Sequence, residues 1–344
     1  MGRTTIIDIA RMAEVSTATV DRALNGRRGV SAASRQRVLR AARELGYLPV
    51  EGQIRMPARP ARLEFLLPIG TSGFMRELAL SLNEVAAAQP LVASCRVVAL
   101  PGIGPDALVP ALEGLSLGTN GVGIVTIDTP KSRHAIRQLC ESGVRVVTIA
   151  SDVLSTPRSA YIGVDNRAAG RTAAQIMALA AAGRPGSVAL FVGSQAFHGH
   201  HEREWGFQAL IGSSAPGLTV LPAIETGEDR ERARAETEVL LRQRDDLFGI
   251  YCVGAGRTGV VEAVRDHGDP RPFIVVHDLT EQSRGWLVDD LVDVVIDQNA
   301  RLVGRQAILQ LLGAIAADAP QPDPLPIEPR IILRENIPVG PVVA

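Results

Sequence analysis

The stretch TTIIDIARMAEVSTATVDRALNG, residues 4–26, decides how the chain begins. Ile6, Ile9, Ala10 and Ala13 recur at helical spacing, which predicts a short helix over 5–13. Ser16 stands where a helix cap is needed. The helix it opens turns Val20, Ala23 and Leu24 inward until Asn25-Gly26 supplies a left-handed stop. Glu14-Val15-Ser16 is a turn of the short kind that joins two crossing helices. Ala10 is small enough for a close crossing, Val15 packs in the turn, and Val20 anchors the second helix. Thr17, Ala18, Asp21 and Arg22 are left outside, and the helix's N-terminal end is free to enter a DNA major groove. Ser31 opens a third helix with Val38, Leu39, Ala42 and Leu45 on its inner face, and Gly46 closes it. Three helices packing for their own sake would satisfy any one of these features, so charge has to separate the readings.

Residues 1–62 hold twelve arginines and five acids, a charge of +7, while 24 basic and 32 acidic residues leave the remainder at −8. The net charge of −1 over 344 residues hides this division. A compact basic module on an acidic body predicts that the first part meets a polyanion and the rest does not. Apolar residues at 46% and charged ones at 21% are an ordinary globular balance, which excludes a disordered or collagen-like chain. No run of about eighteen apolar residues occurs, so no membrane span is expected. Arg3, Asp8 and Arg11 interrupt any signal-peptide core. Cys95, Cys140 and Cys252 fit neither a disulfide framework nor a zinc site, and reduced thiols in a cytoplasmic protein are expected.

Residues 49–62, PVEGQIRMPARPAR, read as a linker. From residue 63 short apolar runs such as Leu63–Leu67, Ser187–Val192 and Phe273–Val276 alternate with amphipathic stretches. Alternation of this kind predicts parallel sheets with helices on both faces. About nine such runs fit two doubly wound lobes better than one. The expected fold class is therefore a small all-α helix–turn–helix domain followed by a two-lobed α/β core.

The run at 4–26, followed by VSAASRQRVLRAARELGYLP at 30–49, closely resembles the DNA-binding headpiece of the LacI family of bacterial transcription regulators. The two-lobed body, with a final strand expected to end in Arg334-Glu335-Asn336, is similar to that family's effector-binding core, itself akin to periplasmic sugar-binding proteins. The resemblance implies a headpiece over 1–48, a hinge over 49–62 and a core over 63–344. The first lobe would take about 63–163 plus 298–325, and the second about 164–297 plus 326–344. It also implies a cytoplasmic homodimer that binds double-stranded operator DNA, most simply a repressor. A small effector would switch it, whether sugar, polyol or sugar acid. No enzyme chemistry, cofactor, metal or membrane is implied. Thr17, Ala18 and Arg22 fall at base-reading positions, where Arg22 can pair bidentately with a guanine. Thr5, Ser16, Thr19, Asn25 and Ser31 match phosphate-contacting or capping positions. Asp21 departs from the small hydroxyl common at its position. Met56 falls where the family's hinge places a minor-groove wedge, although Gly52 and Pro57 equally suit a plain linker.

Gly254, Gly256 and Gly259 match GxGxxG after a strand, with Asp278 about twenty residues on. That is a dinucleotide fingerprint and supplies an alternative, an NAD-dependent oxidoreductase. A sugar-binding protein without DNA-binding activity is another. In the family this loop also borders the effector cleft. His198, His200 and His201 invite a metal, but only Glu202 or Glu204 could complete a set. The family parallel instead makes His201 and Arg203 ligand-gripping side chains on the helix that HHEREWGF opens. Ligands in open α/β sheets sit at the carboxyl ends of strands, which nominates Phe74, Asp128, Asp152, Asp278 and Gln298. Phe74 and Trp205 are candidate stacking rings, and Asp165-Asn166-Arg167 reads as a helix cap.

Overall fold

The computed structural model describes residues 6–24, 29–44, 56–70, 72–317 and 323–338. Helices α1 (Ile6–Met12), α2 (Thr17–Leu24) and α3 (Ala32–Glu44) open the chain. Ile9, Ala10, Val20, Ala23, Val38 and Ala42 form their common core. The turn between α1 and α2 closes with the Val15 N–H on the Ala10 carbonyl at 3.1 Å, and Glu14 takes the left-handed backbone at φ +53°. Ser16 Oγ accepts the Thr19 N–H at 3.2 Å, and Ser31 Oγ accepts the Ser34 N–H at 3.1 Å, so both serines cap the helices they precede.

The first lobe is a five-stranded parallel sheet built from β1 (Ala61–Leu67), β2 (Val92–Ala99), β3 (Gly121–Ile124), β4 (Arg145–Ile149) and β5 (Ala160–Ile162), in the order β2-β1-β3-β4-β5. Its crossovers are α4 (Gly73–Ala88), α5 (Pro105–Glu113) and α6 (Pro130–Glu141). Phe65, Leu66 and Leu67 are all fully buried in β1, as an apolar strand covered on both faces must be.

The second lobe carries α7 (Asn166–Ala181), β6 (Gly186–Val192), α8 (His198–Ser214), β7 (Leu218–Val220), β8 (Ile224–Glu225), α9 (Arg230–Gln243) and β9 (Leu247–Cys252). After these come α10 (Arg257–His267), β10 (Phe273–His277), α11 (Glu281–Val288) and β11 (Val294–Asp297). The chain then returns to the first lobe as α12 (Ala300–Ala316) and finishes in the second as β12 (Arg330–Ile332), antiparallel to β11. The sheet order is β12-β11-β10-β9-β6-β7, with β8 beside β6.

The chain thus passes between lobes near residues 163–165, 298–299 and 323–329, and Ile327 bridges Val164 where two of these passages run side by side. All nine strands expected from the sequence are present. Missing from the expectation were β5 and β8, of three and two residues and too short to show a period, while the expected final strand is β12. Arg334–Asn336 is a 3-10 turn after β12 rather than the end of a strand, held by the Leu333 N–H on Asn336 Oδ1 at 2.6 Å. Among the described residues no helix is long and apolar enough to cross a membrane.

Candidate functional site

On α2 Thr17, Ala18 and Arg22 are exposed together, while Val20 and Ala23 are fully buried. The helix therefore exposes an edge running from Thr17 and Ala18 in its first turn to Arg22 in its last, and anchors the opposite face. Ser16 and Thr19 pair through their hydroxyls at 2.9 Å beside that edge. Thr5 and Asn25 lie outside the described residues, as do residues 49–55 of the hinge. Met56 is half-buried and packs on the main core cluster.

Between the lobes lies a narrow cleft of about 50 Å³. The first lobe contributes Phe74, Val125 and Ser151, and the second contributes Arg203, Glu228, Arg257 and Asp278. Arg203 reaches the cleft because α7 and α8 cross almost in contact. A Cβ added to Gly170 of α7 would stand 2.1 Å from the Arg203 carbonyl oxygen, so only glycine fits there. Arg203 Nε donates to Asn166 Oδ1 at 2.8 Å and Nη2 to Gln298 Oε1 at 2.7 Å. Gln298 Nε2 in turn donates to Asp278 Oδ1 at 2.6 Å, and Arg257 Nη1 lies 3.4 Å from Asp278 Oδ2. A continuous polar chain therefore lines the cleft and includes the passage at residue 298. Asp278 has a left-handed backbone, φ +67°, at the end of β10. Such strain persists only where the surroundings over-determine it, and it commonly marks a functional position.

Burial raises the Asp278 carboxyl above its usual range, and Arg257, Arg203 and Gln298 pull it back. Burial likewise raises Glu228, opposed by the Ala255 N–H and Arg257. His200, buried beside Arg203, is pushed down to about 3 and is neutral at physiological pH.

The structure brings Phe74, Arg203, Asp278 and Gln298 together in the cleft. It does not bring Asp128, Asp152 or His201 there. Asp128 is held by Arg133 through bonds of 2.6 and 2.9 Å, and Asp152 by Arg158 through bonds of 2.5 and 2.6 Å. Each strand-end carboxylate is thus engaged by an arginine a few residues downstream, a local partner that the strand-end rule does not consider. His201 is exposed, and its neighbour His200 faces the cleft instead. Trp205 is also outside, with the Arg167 guanidinium stacked 4.1 Å from its ring centre. Glu228, Arg257, His200 and Phe197 line the cleft without having been expected. Arg257 sat in plain view inside the GxGxxG run, whereas nothing in the sequence around Glu228 marks it.

That run has packing reasons of its own. A Cβ on Gly259 would lie 2.0 Å from the Arg230 carbonyl oxygen, where α10 crosses α9. The Ala255 N–H, placed to cradle a phosphate, is already taken by Glu228 Oε2 at 2.7 Å. Among the described residues no group of three or more His, Cys, Asp or Glu could hold a metal ion.

Residues 83–318 match the periplasmic binding protein domain family, and residues 5–50 match the lacI family of bacterial regulatory proteins. A sucrose operon repressor from Vibrio alginolyticus is 34% identical over 79 residues, 23% of this chain and 84% of that protein. The chain belongs to the lacI family of bacterial regulatory proteins. The transcriptional repressor CytR of Escherichia coli is 60% identical over 45 residues, a match that spans 13% of each protein. A solute-binding protein from Burkholderia graminis, solved in complex with D-arabinose, superposes with a TM-score of 0.75 at 23% identity. That superposition covers 82% of this chain and 98% of the solute-binding protein, and it establishes the fold of the two lobes.

Proposed function

We propose that this lacI-family chain is a ligand-responsive transcriptional repressor of carbohydrate or polyol utilisation genes. It acts in the cytoplasm as a homodimer, binding a near-palindromic operator through α2 of each headpiece. A small effector held between the lobes changes its operator affinity, so its work is coupling rather than chemistry. The observation that carries this reading is a pairing within one chain. An exposed Thr17-Ala18-Arg22 edge on a basic headpiece is joined to a cleft whose polar lining passes through Gln298 at a lobe crossing. The names of the sucrose operon repressor and of the D-arabinose complex support the carbohydrate class. Arginine, carboxylate and amide groups around an aromatic wall suit ligands rich in hydroxyls.

Band shifts with genomic fragments test the proposal. One fragment should be retained at nanomolar protein and released or tightened by a sugar or polyol. Binding of every fragment with equal affinity, insensitive to all sugars, would refute it.

A further inference from the structure

Glu228 is a buried carboxylate with one oxygen left over. It follows Gly227 in a turn where both residues have left-handed backbone, φ +67° and +64°, a conformation that strains a glutamate. The turn places the side chain on the cleft wall. Two glycines make room for it: a Cβ on Gly193 would lie 1.5 Å from Glu228 Oε1, and one on Gly254 would lie 2.9 Å away. Oε2 accepts the Ala255 N–H, but Oε1 has no hydrogen-bond partner. His200 Nδ1 stands 3.7 Å from Oε1 and cannot fill the gap, because it already accepts the Ser194 N–H at 3.3 Å. Two acceptors face each other with no donor between them.

We infer that Glu228 sets the charge class of the effector, its free oxygen engaging a hydroxyl of an uncharged sugar or polyol and turning away the carboxylate of a sugar acid. The inference rests on the carbohydrate reading of the cleft. Arg203 and Arg257 already balance Asp278 and Glu228, and the neutral His200 adds no charge. An uncharged ligand keeps that balance. An anionic one brings another buried charge beside two carboxylates. A hydroxyl both donates and accepts, so it satisfies Oε1 whether Glu228 is ionised or protonated, whereas a carboxylate only accepts.

Calorimetric titration of the full chain with matched pairs tests this: D-arabinose and D-arabinonate, D-glucose and D-gluconate, D-galactose and D-galactonate. The parent should bind at least one sugar about tenfold or more tightly than its acid, since like charges brought together across an interface cost several kcal/mol. Glu228→Gln should weaken the sugar and admit the acid, narrowing that preference by a similar factor. Equal affinity for a sugar and its acid in the parent, or an unchanged preference in Glu228→Gln, overturns the inference and leaves the carbohydrate reading standing. If the parent ignores every member of the set, the carbohydrate reading falls and takes this inference with it. The parent's own preference is measured without any substitution, so a misfolded variant does not decide the matter.

Discussion

Closure of the cleft depends on a glycine at the lobe interface, and one methyl group should be enough to oppose it. Gly73 begins α4 in the first lobe, and Thr280 caps α11 in the second. A Cβ on Gly73 would stand 2.7 Å from Thr280 Cγ2 and 3.1 Å from its Cβ, against about 3.5–4.0 Å for a relaxed carbon contact. Thr280 has little freedom to move aside. Its N–H donates to Ser283 Oγ at 2.8 Å, its Oγ1 accepts the Ser283 N–H at 3.3 Å, and it is buried. Relief must come from the lobes parting by about 1 Å, or from overpacking strain of roughly 1–3 kcal/mol. With the lobes apart, the same substitution only removes a flexible glycine and stabilises by about 0.4–1 kcal/mol. That gain acts through the unfolded chain and is common to the open and closed forms, so only the strain opposes closure. At 1.4 kcal/mol per factor of ten, Gly73→Ala should bind the proposed effector roughly five- to a hundredfold more weakly than the parent. The ligand-free Tm should not fall. Adding Thr280→Ser removes Cγ2 while keeping the capping hydroxyl, and calorimetry should show most of the affinity restored. Parent-like sugar binding by Gly73→Ala, or no recovery in the double variant, would refute the reasoning.

Three further outcomes are expected. Operator affinity should fall steeply with salt, because the +7 headpiece region displaces counterions, and Arg22→Ala should cost about 1–3 kcal/mol at one base pair per half-site; a flat salt slope or parent-like binding by the variant would remove α2 from the groove. Met56→Gly should reduce the operator bend measured by circular-permutation gels, the expected signature of a minor-groove wedge, and an unchanged bend would return Met56 to its packing role. Glu77 on α4 is pushed up to about 7, first by burial and then by Asp297 and Asp278, with Arg284 and Arg257 pulling it down. The folded chain therefore holds a proton that the unfolded chain releases, so stability should decline as pH rises from about 4.5 to about 7 and level off above. Glu77→Gln should flatten the Tm profile across that window, and a profile parallel to the parent's would discount Glu77.

The headpiece and the lobe pattern were legible because periodicity and capping act over a few residues. Ser16 and Ser31 cap as their spacing requires, and each long apolar run became a strand. The cleft was half legible. Asp278 and Asp128 both follow strands, yet only Asp278 reaches the cleft, since Arg133 holds Asp128. Glu228 depends on a left-handed turn and on two glycines, Gly193 and Gly254, from other loops. No local pattern records that conjunction. His200 replaced His201 because one residue along a helix turns a side chain through about 100°, less certain from sequence than the helix itself.

The position of α12 in the chain has a consequence for biogenesis. This helix completes the first lobe, with Val303, Ala307, Ile308, Leu311 and Leu312 buried, yet it is synthesised only after β6 to β11 of the second lobe. At about 5–20 residues per second on the ribosome, the first sheet waits on the order of ten to thirty seconds with the face that will hold Leu311 uncovered. Gly121 of β3 lies directly against Leu311 and Ile315 of α12, and β1 also touches this helix, so the exposed surface includes β1 and β3. Nascent chains that stall before residue 300 should therefore be prone to aggregation and dependent on chaperones, while those released after residue 332 can complete both lobes.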